Sequence, residues 1–379
     1  MKSKVELIPA AEAANIQSIV QSTLAQLRLR YSGDKPVLRG VHPKSHGCVM
    51  ATFEVLPSLA TEYRVGVFAT PGRKYEAVVR FSNAAPLVTP DSPNSKHGSR
   101  GMAIKLKGVD GPQLGMQIGQ EPVLRRIAAP PGEPLPLHGN GTQDFLMVNQ
   151  PVFAFANVED YEVLSRVLVD NHDVADAFFA ERMGPAATAE ARKSATETRG
   201  IVVNIQSSTS PPAFQKPPAS PVDNDYFGAA PFRFGPDRVM RFRVTIGNHS
   251  IGKPDITRPN YLREALTFRL RDSAQGPVVF HFQAQIRDAT GIDPEKDIEN
   301  ASHRWEDEQT YPYIPLATLT IPLQEFNNPE QIAACEKLVF SPWHGLEDHE
   351  PLGGINRLRR AVYEASSMFR NLPKEPGPI

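Results

Sequence analysis

The sequence predicts an α+β protein, an antiparallel β-barrel with helices flanking it at both ends. Three observations carry that expectation. Seven runs rich in Val, Phe and Thr, several of them alternating apolar with polar residues, fill the middle of the chain. Apolar residues recur at helical spacing near both termini. No repeat of fixed period and no abrupt change of composition divides the 379 residues, so one domain over 1–379 is expected. It comprises a helix and lead-in over 1–36, a barrel over 37–325 and a C-terminal helical segment over 326–379.

From Ala10 to Tyr31, residues Ile16, Ile19, Val20, Leu24 and Leu27 fall on one helical face, and Ser32-Gly-Asp-Lys-Pro36 breaks the pattern. The strand-like runs follow: CVMATFEVL, YEAVVRFS and GMAIKLKG, then VMRFRVTIG, LTFRLRD, PVVFHFQAQIR and PLATLTIPL. Seven such strands suit an antiparallel sheet that closes on itself. A helical insertion is expected from Val158 to Met183. Two Pro/Gly-rich stretches, 127–141 and 210–237, hold too few periodic apolar residues for a regular element and read as long surface or interface loops. The tail from Asn327 to Arg370 is helical again.

With 41 basic and 42 acidic residues the formal net charge is −1, so no global field points to nucleic acid or an anionic membrane. The N-terminus lacks an apolar signal core, and no run approaches the ~18 apolar residues of a membrane span. Cys48 and Cys335 are the only cysteines and form no CxxC, which argues against a disulfide framework or zinc site and favours reduced thiols in the cytoplasm. The sequons at Asn140 and Asn248 are then chance matches. His46, His344 and His349 lack the carboxylate or cysteine company of a metal cluster.

Four stretches carry chemistry. In RRAVY, Arg359 and Tyr363 stand at i and i+4 on one helical face. A guanidinium held against a phenol favours the phenolate, which is a metal ligand. In RGVHPK, His42 lies just before a strand. In VVRFSN, alternation puts Arg80 and Ser82 on the same side. In MVNQPVF, the polar Asn149 interrupts an apolar run.

Taken in order, RGVHPKSHGCVMATFEV, VVRFSN, HGSRGMAIKL, FLMVNQPVF, YPYIPLATLTI, LVFSP and RRAVYEASSMFR resemble the haem catalases, and in size the small catalase-related haem proteins. The resemblance implies a catalase-like barrel with its haem-binding helix near the C-terminus. It implies haem b, with Tyr363 as the iron ligand supported by Arg359. It further implies a distal His42, a Ser82 that orients it, a distal Asn149, and Arg39, Arg80 and Arg370 for the propionates. Seven residues past Tyr363, Arg370 projects from the same helical face about 10.5 Å along the axis.

The implied activity is a haem peroxidase that reduces H2O2 or organic hydroperoxides through a ferryl intermediate, with a small-molecule electron donor and weak catalase activity. His42 would shuttle the peroxide proton. Two other readings stay open on the same resemblance: a fatty-acid hydroperoxide isomerase or dehydratase of the allene oxide synthase type, and a non-catalytic haem-binding protein. Val41 before His42 is aliphatic as in catalases, whereas the allene oxide synthase type has threonine. Glu364 stands where large catalases have proline after the ligand. The long N-terminal arm and C-terminal domain of those enzymes are missing, from which a more open route to the haem and bulkier substrates are expected. A homo-oligomer is compatible with the sequence, which names neither the donor nor the subunit count.

Overall fold

The computed structural model describes residues 4–31, 37–91, 98–114, 141–170, 176–206, 218–249, 255–305 and 308–370. Among these residues nine strands share one antiparallel sheet: β1 (Ser45–Val55), β2 (Lys74–Asn83), β3 (Arg100–Lys107), β4 (Thr142–Val148), β5 (Tyr226–Phe227), β6 (Phe232–Arg233), β7 (Arg238–Ile246), β8 (Val278–Asp288) and β9 (Tyr313–Ile321). The sheet runs β5-β4-β3-β2-β1-β9-β8-β7-β6, and β5 also pairs with β7 through Tyr226↔Val244 and Phe227↔Arg243. That contact closes a barrel of eight strands, and β6 pairs farther along the same edge of β7, through Phe232↔Met240 and Arg233↔Val239.

Strand alternation sorts the sequence between two faces. Val49, Ala51, Phe53 and Val55 of β1 point inward with Ala77, Val79 and Phe81 of β2, Ile104 and Leu106 of β3 and Phe145 of β4, all in one buried cluster. Phenylalanines fill the lumen: Phe145 and Phe282 have centroids 4.8 Å apart, Phe145 and Phe242 5.1 Å, Phe53 and Phe282 5.4 Å. Each such ring stabilises the fold by about 2–3 kcal/mol through burial. The barrel is therefore a packed core, and any site must lie outside it. The outward residues of β1–β4, among them Cys48, Val78 and Leu146, form a second cluster with Cys335, Leu338 and Phe340, against which Tyr363 packs.

Among the described residues seven helices flank the barrel: α1 (Glu12–Arg30), α2 (Val158–Asp170), α3 (Asp176–Arg182), α4 (Ala189–Gln206), α5 (Tyr261–Arg271), α6 (Pro329–Lys337) and α7 (Gly354–Phe369). Helix α6 starts where Asn328 Oδ1 accepts from Gln331 N at 2.9 Å and Pro329 takes the first position. Helix α1 lies on α2 and α7: Ile19 joins Val158 and Leu358, and Leu24 and Leu27 join Ala365. Arg357, near the start of α7, ties this layer together, because its guanidinium meets the carboxylates of Glu6, Glu12 and Glu299.

Four expectations are corrected. LTFRLRD is the second half of α5, since Leu262, Leu266, Arg269 and Leu270 bury one helical face rather than alternate. The helical insertion continues past Met183 into α4. The described part of 210–237 is not a surface loop: Val222, Tyr226, Phe232 and Phe234 are fully or almost fully buried, and β5 closes the barrel. Two-residue strands are too short to show a period. Finally, Cys48 and Cys335 are joined in a disulfide. Packing α6 against β1 brings their Cα atoms to 5.8 Å, within bridging range, across a separation of 287 residues that sequence distance alone seemed to forbid. The stretch 127–140, Ser32 to Pro36, and Asn140 and Ser250 of the two sequons lie outside the described residues. Among the described residues, no helix is long and apolar enough to cross a membrane.

Candidate functional site

The outer face of β1–β4, roofed by α6 and α7, brings together the residues singled out from sequence. The register across β2, β3 and β4 sets Ser82 opposite Gly101 and Gly101 opposite Val148, with Asn149 next in the chain. His42, just before β1, lies over Gly101. A Cβ built on Gly101 would meet His42 Cε1 and Nδ1 at 2.5 Å and Ser82 Oγ at 2.9 Å. Only glycine leaves that space, so Gly101 is a cradle for the imidazole, and sequence reading gave it no role.

His42 Nδ1 lies 2.9 Å from Ser82 Oγ, the pairing expected from the motifs. Its backbone has φ 58°, uncommon for a residue with a side chain, and its carbonyl accepts from Arg80 Nη2 at 2.8 Å. Burial of the ring, with Arg80, Arg359 and Arg39 nearby, pushes the imidazole down to about 3. The ring is therefore neutral at physiological pH and can accept a proton. Asn149 is buried, its Oδ1 accepting from Arg100 N at 2.7 Å, while its Nδ2 has no partner among the described residues. A buried amide N–H2 left without an acceptor is costly unless something else fills that role.

Arg359 and Tyr363 share a face of α7 as predicted. The guanidinium carbon lies 5.5 Å from the Tyr363 ring centroid and 5.5 Å from that of Phe153, and Nη1 donates to Asn356 Oδ1 at 3.0 Å. Among the described residues no hydrogen bond joins Arg359 to the phenol oxygen, so the guanidinium rests against the ring instead of reaching the oxygen.

Arg39, Arg80 and Arg370 converge on the C-terminal end of α6. Arg39 Nη1 pairs with Glu336 Oε2 at 2.5 Å, and its Nη2 donates to Leu338 O at 2.7 Å and Cys335 O at 3.2 Å. Arg80 Nη2 lies 3.8 Å from Glu336 Oε1, and Arg370 Nη2 donates to Glu336 O. The positive charges oppose one another: burial and then Arg39 push Arg80 down to about 9 and Arg370 down to about 10, against the pull of Glu336. Arg80 Nε is buried with no partner among the described residues. Glu336 was not foreseen, and no local pattern marks it, because Arg80 and Arg39 are 256 and 297 positions away and Arg370 lies beyond the next helix.

The other histidines are held separately. His46 Nε2 meets Asn83 Oδ1 at 2.9 Å, His344 Nδ1 meets Asp144 Oδ2 at 3.2 Å, and His349 Nε2 accepts from Val67 N at 3.1 Å.

No family model matches the chain, and no curated protein matches it. Solved structures do. A bacterial catalase superposes with TM-score 0.61 at 14% identity over 91% of this chain. A fungal catalase gives 0.60 at 14% over 90%, and catalase A from Saccharomyces cerevisiae 0.62 at 13% over 98%. The chain spans 61% of the length of the first two and 67% of the third. At this identity the likeness is one of fold: an antiparallel barrel with flanking helices, as in catalases.

Proposed function

We propose that the chain binds haem b and reduces hydrogen peroxide or organic hydroperoxides with electrons from a small-molecule donor. One observation carries the reading: the His42–Ser82 pair lies on the same barrel face as the three-arginine cluster, beneath the helix that bears Tyr363, and the unpartnered Asn149 amide comes one residue after the cross-strand partner of Gly101. The donor set suits such a group. Buried arginines crowded around the single Glu336 carboxylate, one with an unpaired Nε, call for further carboxylates, and haem brings two. Tyr363 would ligate the iron as its phenolate, and Arg39, Arg80 and Arg370 would take the propionates. Bound haem would supply the electron transfer that breaks the O–O bond and the higher iron oxidation states that a phenolate ligand favours.

The remaining steps belong to the protein. His42, neutral and held by Ser82, takes the proton from one peroxide oxygen and returns it to the departing one, so that the bond breaks heterolytically. Ser82 fixes the ring angle and the ring nitrogen that faces the substrate. Asn149 Nδ2 donates to the same peroxide. Overall ROOH takes two electrons and two protons from the donor and yields ROH and water.

The test is a haem titration followed by absorbance, with wild type and Tyr363→Phe. Wild type is expected to bind about one haem with a Soret band and tyrosinate charge-transfer features, and to oxidise an aromatic donor when peroxide is added. Tyr363→Phe should lose those features and most of its haem. An unchanged ferric spectrum in Tyr363→Phe would sink the ligand assignment, and failure of the wild type to bind haem would sink the reading as a whole.

A further inference from the structure

The Cys48–Cys335 disulfide is built into the arginine cluster. Cys48 is the cross-strand partner of Arg80 in the β1–β2 register, so the two side chains share the outer face. On the other side of the bridge, the Cys335 carbonyl accepts from Arg39, and the next residue is Glu336, whose carboxylate meets Arg39 and Arg80 and whose carbonyl takes Arg370. The bridge thus fixes the α6 end that all three guanidiniums grip to the strand that carries Arg80's partner. Both cysteines also line a narrow surface cleft, with Ser45, Arg263, Gln331 and Glu336 among its polar residues and Phe326 and Ile332 as its apolar ones.

We propose that Cys48–Cys335 is a thiol–disulfide exchange site for a small dithiol, and that its redox state sets how firmly the arginine cluster holds an anionic ligand. The second half rests on the haem reading; the first does not. In the reductive direction a thiolate of the dithiol attacks Sγ of Cys48, the less buried of the two residues at 9% exposure against 2% for Cys335. Cys335 leaves as a thiolate, beside the Ser45 hydroxyl at 3.9 Å, and takes a proton. The second thiol of the reagent then displaces Cys48 and closes a cyclic disulfide, so two electrons and two protons pass to the chain. In reverse, a hydroperoxide oxidises the two thiols to the disulfide and becomes an alcohol and water. Oxidation pins α6 and preorganises the cluster; reduction frees the helix end and returns the ordering cost to the binding step.

Linkage makes the effect reciprocal: whatever factor the disulfide adds to haem affinity, haem adds to the disulfide's resistance to reduction. The experiment uses the full chain in three forms: oxidised, reduced with dithiothreitol and desalted without oxygen, and Cys48→Ser. Thiols are counted under native conditions while circular dichroism reports the fold, and each form is titrated with haem. Two thiols should appear without unfolding. The oxidised form should bind haem about ten-fold tighter than the other two, which should agree, and haem should lower the disulfide's potential by about 30 mV. Thiols that appear only in denaturant would make the bridge an inert staple and overturn the proposal, as would haem affinities equal within two-fold. If no form binds haem, the haem reading fails, and thermal shift with inorganic pyrophosphate decides the cluster's role: a larger shift in the oxidised form supports it and equal shifts overturn it.

Discussion

His42 has a backbone in the left-handed region, a carbonyl held by Arg80, a ring nitrogen at Ser82 and a ring laid on a glycine. A residue over-determined in this way holds a conformation that costs about 1 kcal/mol or more by itself. Replacing His42 by alanine should therefore leave haem binding intact yet slow the reaction with peroxide by about 10² to 10⁴-fold, as measured by stopped-flow absorbance. Gly101→Ala tests the geometry instead of the group. Its methyl collides with the imidazole and with Ser82 Oγ, so the rate should fall by a comparable factor while His42 itself remains. A wild-type rate in Gly101→Ala would show that the ring has no need of that seat. At this scale much of the site was legible. The i, i+4 spacing of Arg359 and Tyr363 and the alternation of Arg80 and Ser82 depend on local geometry alone, whereas the cradle at Gly101 depends on which strand lies beside which, and no local spacing encodes that.

The elements separate in the same way. Strands long enough to show a period, such as β1 and β2, and helices with a clean apolar face, such as α1, could be read directly. The second half of α5 could not, because LTFRLRD alternates by chance over six residues, and only Leu262 farther upstream reveals the helical face. Nor could β5, which has two residues and takes its place from the neighbours that close the barrel. The packing of α1 on α7 hangs on Arg357, which holds three carboxylates that would otherwise repel one another. Those partners raise its pKa despite its burial. Removing that guanidinium leaves Glu12 buried with no counter-charge from Arg357. Arg357→Met should thus destabilise the fold by about 3 kcal/mol in chemical denaturation. Since α7 also carries Tyr363, haem affinity should fall in the same variant. A change below about 0.5 kcal/mol would mean that apolar packing alone seats α1.

At the scale of the molecule, among the described residues the fold holds three histidines neutral: His42 and His46 are pushed down to about 3 and His349 to about 4, in each case first by burial. For His42 the nearby arginines add to that push. For His46 Asp91 opposes it, and for His349 backbone hydrogen bonds do. The sign of the consequence is fixed by proton counting. Unfolded histidines titrate near 6.5, so between about pH 6.5 and 4 the unfolded chain binds protons that the folded chain refuses. Stability from these groups is fully present above pH 6.5 and is lost as the pH falls toward 4 and 3. Each fully contributing histidine adds about 1.4 kcal/mol per pH unit to the slope. Urea unfolding between pH 5 and 6.5, above the range where most carboxylates protonate, should show a slope approaching three protons at its acid end. His349 lies in a short helical turn, Glu347–His349, outside the strands and away from the proposed site, with Nε2 accepting from Val67 N and its ring against Phe68. His349→Gln should lower that slope by one proton without altering the peroxide reaction, whereas His42→Gln should lower it by one and slow that reaction. An unchanged slope in both variants would mean that these imidazoles titrate freely in the folded chain, and His42 would then be protonated too readily to act as the proton acceptor near pH 6.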